Sequence, residues 1–236
     1  MGIMSILTKG EDPVARKVYK FKQSALMGRA VTGGLLPSAF YTWSGCQAGV
    51  CAAISIAWID EQISPIVFGQ HFGMTGRHAK LTATCAKMFI GQYEAAQASQ
   101  FRRNQADDLG AEFGLTFQPI SERDVKDSLV HTCMDALDGL GRREAAVVYY
   151  QLTGAQWHVV ALSRDGDGAV HFFDPNHGEY QIAEDDERRF LGRYVKVLKE
   201  TQNYEVKRAF ARKASKAGNP VAWKLSAGTT NTFGKG

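Results

Sequence analysis

The chain has 236 residues, 44% hydrophobic and 22% charged, with 28 Lys and Arg against 24 Asp and Glu. That is enough chain for one sizeable domain with a real core, and no apolar run is long enough to span a bilayer. The net charge of +4 comes without a nucleic-acid motif, and Cys46, Cys51, Cys85 and Cys133 make neither a CxxC pair nor a zinc spacing, so no nucleic acid, metal or cofactor is expected.

In chain order, residues 1–40 read as a leader, a secretion region or prosegment. They hold a basic stretch from Lys9 to Lys22 and then a stretch rich in glycine and small residues at 28–37. No basic region followed by an apolar stretch marks a classical signal peptide. Gly2 fails as a lipid site because Ile6 stands where that pattern needs Ser or Thr. A folded domain is placed at 41–217, and a tail rich in Gly, Thr, Ser and Asn at 218–236.

Within the domain, residues 44–50 are small or polar and form a tight loop, with Cys46 as a filler. Residues 51–63 are apolar nearly all round until Asp60 and stop at Ser64-Pro65, which describes a buried helix. A glycine-containing loop follows at 66–76. Helical spacing of Ala83, Ala86, Ile90, Tyr93, Ala96 and Phe101 predicts a helix over 80–105. A short extended piece is expected at 110–119, a helix from Ser121 to 139–141, and a strand at 144–152. Beyond Gly178 the chain turns basic. Residues 184–199 read as a helix or a strand, and 205–216, with Lys207, Arg208, Arg212, Lys213 and Lys216, as a solvated basic face. An anionic membrane surface is the alternative partner for that face.

Chemistry concentrates at three positions. Cys51 opens the buried helix, where unpaired N–H groups and the positive dipole end stabilise a thiolate and can hold an oxyanion. His158 starts one strand and Asp174 ends the next, with the turn Arg164-Asp165-Gly166-Asp167-Gly168 between them. A hairpin folded about Gly166 sets Leu162 opposite Val170 and His158 opposite Asp174, within side-chain reach on one face. Asp174 then orients the ring of His158, which serves the Cys51 thiol. The order Cys, His, Asp is that of papain-like enzymes. His171 faces away from His158 in this register, and His177 stands at the mouth of the cleft.

Three blocks carry a family resemblance: Gly49-Val50-Cys51-Ala52-Ala53-Ile54-Ser55-Ile56-Ala57-Trp58-Ile59, Trp157-His158-Val159-Val160-Ala161, and Phe172-Phe173-Asp174-Pro175-Asn176-His177-Gly178-Glu179. The chain resembles the YopT/AvrPphB group of bacterial effector cysteine proteases. The resemblance implies an α+β papain-like cysteine protease fold, with a central helix bearing the nucleophile packed on an antiparallel sheet. It implies Cys51 as nucleophile, His158 as general base and acid, and Asp174 as orienting carboxylate. It also implies secretion into a host cell by a type III-like route and a host protein substrate in the host cytosol. Papain-like enzymes place a Gln or Asn oxyanion donor five or six residues before the cysteine; here Gly45 and Cys46 stand there. Gln47 is the candidate donor, beside the backbone N–H of Cys51. The same trio also serves a deamidase or an acyltransferase, since all proceed through one acyl-enzyme. A non-enzymatic host-binding module is the rival from another class.

Overall fold

The structure, a computed structural model, describes residues 14–32, 34, 50–64, 83–97, 105–123, 128–153 and 157–216. Its strands are β1 (Ala15–Tyr19), β2 (Leu115–Arg123), β3 (Glu144–Leu152), β4 (Trp157–Arg164), β5 (Val170–Asp174), β6 (Gly178–Ile182) and β7 (Val206–Lys216). They form one sheet in the order β1-β6-β5-β4-β3-β7-β2, each neighbouring pair antiparallel. The described helices are α1 (Gln23–Thr32), α2 (Cys51–Ile63), α3 (Ala83–Gln97), α4 (Gln105–Ala111), α5 (Ser128–Asp138) and α6 (Glu187–Gln202).

Strand alternation sends successive side chains to opposite faces, and both faces are covered. Val147, Tyr149, Val159, Ala161 and Phe173 pack with Ile54, Ile56 and Trp58 of α2. Val148, Tyr150, Val160, Leu162 and Phe172 pack with Leu129 of α5 and with Phe190 and Tyr194 of α6. The buried strands therefore read as continuous apolar runs, and the fold is α+β with the Cys51 helix against an antiparallel sheet.

Four features differ from the sequence reading. Residues 14–32, assigned to the leader, belong to the folded body: β1 pairs with β6, and Val14, Phe21, Leu26 and Met27 are buried. A strand whose partner lies far along the chain carries no local signal of that pairing. The strand expected to end at 119 runs on to Arg123, and the helix after it starts at Ser128 rather than Ser121. Pairing with β7 holds the extension, with a register shift between Pro119 and Ser121. A sheet edge tolerates that proline, which cannot donate to a ladder. The β4–β5 hairpin pairs Leu162 with Phe172 instead of Val170, a slip of two residues. Its turn is broader than a Gly166-centred one, because the Asp165 carboxylate accepts from the backbone N–H groups of Asp167 and Ala169, both at 2.9 Å.

The basic stretch at 205–216 is the fourth. It is β7, between β3 and β2, and its cations, partly to well exposed, each meet a carboxylate. Lys207 pairs with Glu205 at 3.1 Å, Arg212 with Asp107 at 2.8 Å and Lys213 with Glu144 at 2.5 Å. Arg208 pairs with Glu122 and Lys216 with Asp60.

Candidate active site

Residues 51–60 of α2 are all buried, as an unbroken apolar run demands. Its polar side chains lock it against the sheet. Ser55 Oγ donates to the Val159 carbonyl at 3.3 Å, and Trp58 Nε1 donates to the Glu179 carboxylate at 3.2 Å. The Trp58 ring also stacks on Phe173, centroids 5.3 Å apart. Such a pair adds about 0.5–1.5 kcal/mol beyond its burial. These contacts fix the rotation and height of α2 over β4, β5 and β6, and so the place of Cys51 at its first turn.

That turn has no side-chain cap from its own N-cap residue, Val50. The first intrahelical bond runs from the Ile54 N–H to the Val50 carbonyl, 2.9 Å, and the N–H groups of Cys51, Ala52 and Ala53 point outward ahead of it. The Ala53 N–H donates to Oε1 of Gln92 on α3 at 2.7 Å, and Gln92 Nε2 lies 4.0 Å from the Cys51 sulfur.

The carboxylate side of the site is a tight turn. Asp174 closes β5 opposite Gly178, which opens β6. The Asn176 N–H donates to Asp174 Oδ1 at 2.8 Å, and the His177 N–H to the Asp174 carbonyl at 2.9 Å. The N-terminal segment braces this turn. The Gln23 N–H donates to the Pro175 carbonyl at 2.8 Å, Gln23 Nε2 to Asn176 Oδ1 at 2.6 Å, and Lys17 Nζ to the His177 carbonyl at 2.6 Å. Gly178 has φ +103°, and a Cβ there would lie 2.2 Å from the Tyr19 carbonyl oxygen. Gly178→Ala should therefore destabilise the protein by roughly 2–4 kcal/mol, since strain and overpacking combine. Denaturant titration checks this; a loss under about 0.5 kcal/mol would contradict it.

His158 Nε2 stands 3.0 Å from Asp174 Oδ1. A carboxylate only accepts, so Nε2 carries the proton and Nδ1 is left for the thiol. Cys51 is a second side-chain partner of the ring. By alternation His158 and Asp174 share the α6 face of the sheet, so α2 meets the imidazole at the end of the sheet, where β4 begins and β5 stops. The two-residue slip of the hairpin keeps both on one face, because the side-chain period is two. His158 and Asp174 are diagonal neighbours rather than direct opposites, still within side-chain reach.

Asp174 is fully buried and accepts from four donors. Besides His158 and the Asn176 N–H on Oδ1, His177 Nδ1 and the Tyr194 hydroxyl each reach Oδ2 at 2.6 Å. Tyr194 also bonds the Tyr150 hydroxyl at 3.0 Å. Burial favours the protonated acid, but the charges of His177 and His158 and their hydrogen bonds win and hold Asp174 well below the ordinary carboxylate range. For His158, burial favours the neutral ring; the charge and hydrogen bond of Asp174, with Cys51 in addition, raise its pKa to about 10. Asp174 thus favours the protonated ring, which lies beside the Cys51 sulfur.

Cys51, His158 and Asp174 thus meet in space, while Gln47 lies outside the described residues. His171 faces the α2 side, between Glu179 at 2.9 Å and Asp165 at 3.3 Å. His177, expected at the mouth of the cleft, meets the second oxygen of Asp174. A cavity of about 900 Å³ lies at the other end of the hairpin, by Arg164, Asp167 and Glu184, and none of these site residues lines it. Among the described residues, no cluster of three or more His, Cys, Asp and Glu side chains is set to hold a metal ion.

The sequence matches the family model of peptidase C58, described as Yersinia/Haemophilus virulence surface antigen, over residues 15–213. The chain belongs to the peptidase C58 family. As a peptidase C58 member it is a cysteine protease, from a family of secreted bacterial virulence effectors that act in host cells. Among solved structures it is similar to the crystal structure of the Pseudomonas avirulence protein AvrPphB. That match has TM-score 0.52 and 14% identity, and covers 70% of this chain and 91% of that one. It supports the papain-like α+β fold. No curated protein matches the sequence.

The peptidase C58 match begins at residue 15, where β1 begins, in agreement with the place of the N-terminal segment in the sheet. Gln92, Tyr194 and the His177 contact are the site features that sequence reasoning missed. Gln92 and Tyr194 sit in ordinary helical stretches with no local motif, far along the chain from the groups they touch.

Proposed function

We propose that this peptidase C58 protein cleaves a host protein with Cys51 as nucleophile, His158 as acid and base, and Asp174 as the carboxylate that orients His158. The observation that carries the reading is the His158 ring, held by Asp174 on one nitrogen and partnered by Cys51 at the start of α2. In this reading Cys51 reacts as a thiolate whose proton rests on His158, beside the N-terminus of α2.

In the first half-reaction the sulfur attacks the scissile carbonyl carbon, and the carbonyl oxygen becomes an oxyanion facing the first turn of α2. The backbone N–H of Cys51 holds that charge, with Gln47 as the candidate side-chain donor. His158 gives its proton to the leaving amine nitrogen as the C–N bond breaks, leaving a thioester on Cys51. In the second half-reaction neutral His158 takes a proton from water, the hydroxide adds to the thioester carbon, and the C–S bond breaks. The acid product leaves, and the sulfur anion and imidazolium are restored.

Delivery by a type III-like route and action in the host cytosol are part of this proposal. A protein substrate is favoured over an anionic membrane as the partner, because the cations of β7 that suggested a membrane all have carboxylate partners. Incubation of the purified protein with a library of proteome-derived peptides tests the reaction type. New peptide termini are expected; a gain of about one dalton on an intact backbone would instead assign deamidation through the same acyl-enzyme.

A further inference from the structure

We propose that Gln92 is a further catalytic residue, which donates from its side-chain amide to the Cys51 sulfur and holds it as an anion facing His158. This deepens the reading of Cys51 as nucleophile and rests on it.

Chemistry fixes the orientation of the amide. The Ala53 N–H is a donor, so the Gln92 atom 2.7 Å from it is the carbonyl oxygen. The NH2 group then faces the sulfur, at 4.0 Å. A flipped amide would set two donors against each other in a buried place, since Gln92 is only 5% exposed. The same side chain thus answers two needs of the first turn of α2. It accepts from one of the N–H groups that Val50 leaves without a side-chain cap, and it turns a neutral donor toward the nucleophile.

The other titratable groups near the sulfur come from the sheet: His158 on β4, with Asp174 of β5 behind it, and, on β3, Tyr149 on the α2 face and Tyr150 on the opposite face. Burial keeps both phenols neutral, so His158 is the cationic partner and Gln92 the neutral donor on the α3 side. A donor to an anion stabilises it, and hydrogen bonds to charged groups are stronger than neutral ones.

The test is the pH dependence of Cys51 alkylation by iodoacetamide in wild type, Gln92→Leu and Gln92→Met, with melting temperatures taken alongside. Gln92→Met keeps the length of the side chain without its amide donor and adds no charge beside the sulfur. Both variants are expected to move the acid-side midpoint up by about one pH unit, roughly a tenfold loss of rate at a fixed acidic pH. A merely structural role would lower the melting temperature and leave the midpoint in place. Should Gln92→Leu fail to fold, Gln92→Met alone decides. The inference fails if wild type shows an activated thiol but the variant midpoint stays within about 0.2 units of it. If wild type itself titrates as an ordinary thiol, the nucleophile reading falls first and this one with it.

Discussion

Cys51→Ala should abolish peptide cleavage, by at least about 10⁴-fold in kcat/KM, while changing stability by no more than about 1 kcal/mol. The activity loss follows from chemistry: without the sulfur no thioester forms, and the first turn of α2 retains only the power to bind. The small stability change follows from size and surroundings. The thiol is one buried heavy atom at the first residue of a helix, and Ser55, Trp58 and Asp60 hold that helix from further along. Cleavage assays on the peptide library, paired with denaturant titration of both proteins, check the two halves together. Residual cleavage above about one part in a hundred would remove Cys51 from the nucleophile role.

Asp174 should behave in the opposite way, as a residue on which both fold and chemistry depend. Asp174→Ala leaves four buried donors without their acceptor and should cost about 3–5 kcal/mol, the usual price of breaking a buried ionic contact from one side. Asp174→Asn is not a gentle alternative. Each carboxylate oxygen accepts from two donors: His158 and the Asn176 N–H on Oδ1, His177 and the Tyr194 hydroxyl on Oδ2. An amide NH2 on the Oδ1 side meets the Asn176 N–H, which can only donate, and on the Oδ2 side it requires a hydroxyl rotation at Tyr194 and a tautomer change at His177.

The pH dependence of stability follows from the same pair. Asp174 is held well below its usual range in the folded state, so its contribution is present above its unfolded value of about 3.9 and is lost as pH falls through its folded value. His158 is raised to about 10, so its contribution is full below its unfolded value, near 6.5, and is lost as pH climbs toward 10. Wild type should therefore lose stability on both the acid and the alkaline side. Both limbs should flatten in Asp174→Asn, as melting temperature against pH would record. Parallel curves for the two proteins would show that the pair does not hold the fold in this way.

How much of this could be read from the sequence depended on the range of the interaction. Helix α2 came out with the bounds it has, because an all-apolar run before Ser64-Pro65 is a local statement. Strand β3 did so as well. The approach of His158 to Asp174 survived a wrong register, since a two-residue slip of a hairpin changes neighbours but not faces. Contacts that span the chain were not legible. β1 reads as part of a basic leader until its partner β6 is known, and β7 reads as a charged surface until Asp60, Asp107, Glu122 and Glu144 are set against it. Gln92 is the sharpest case: its residue type and helical setting are ordinary, and only the meeting of α3 with the first turn of α2 gives it a role.

The most direct test of the account is the rate of Cys51 alkylation by iodoacetamide as a function of pH, read by peptide mass, in wild type and His158→Ala. The midpoint rather than the absolute rate is the quantity to compare, because burial of the thiol slows both proteins alike. The account predicts fast alkylation persisting well below about pH 8 in wild type and an ordinary thiol profile, near pH 8.5, in the variant. One ordinary profile shared by both proteins would contradict an activated Cys51–His158 pair.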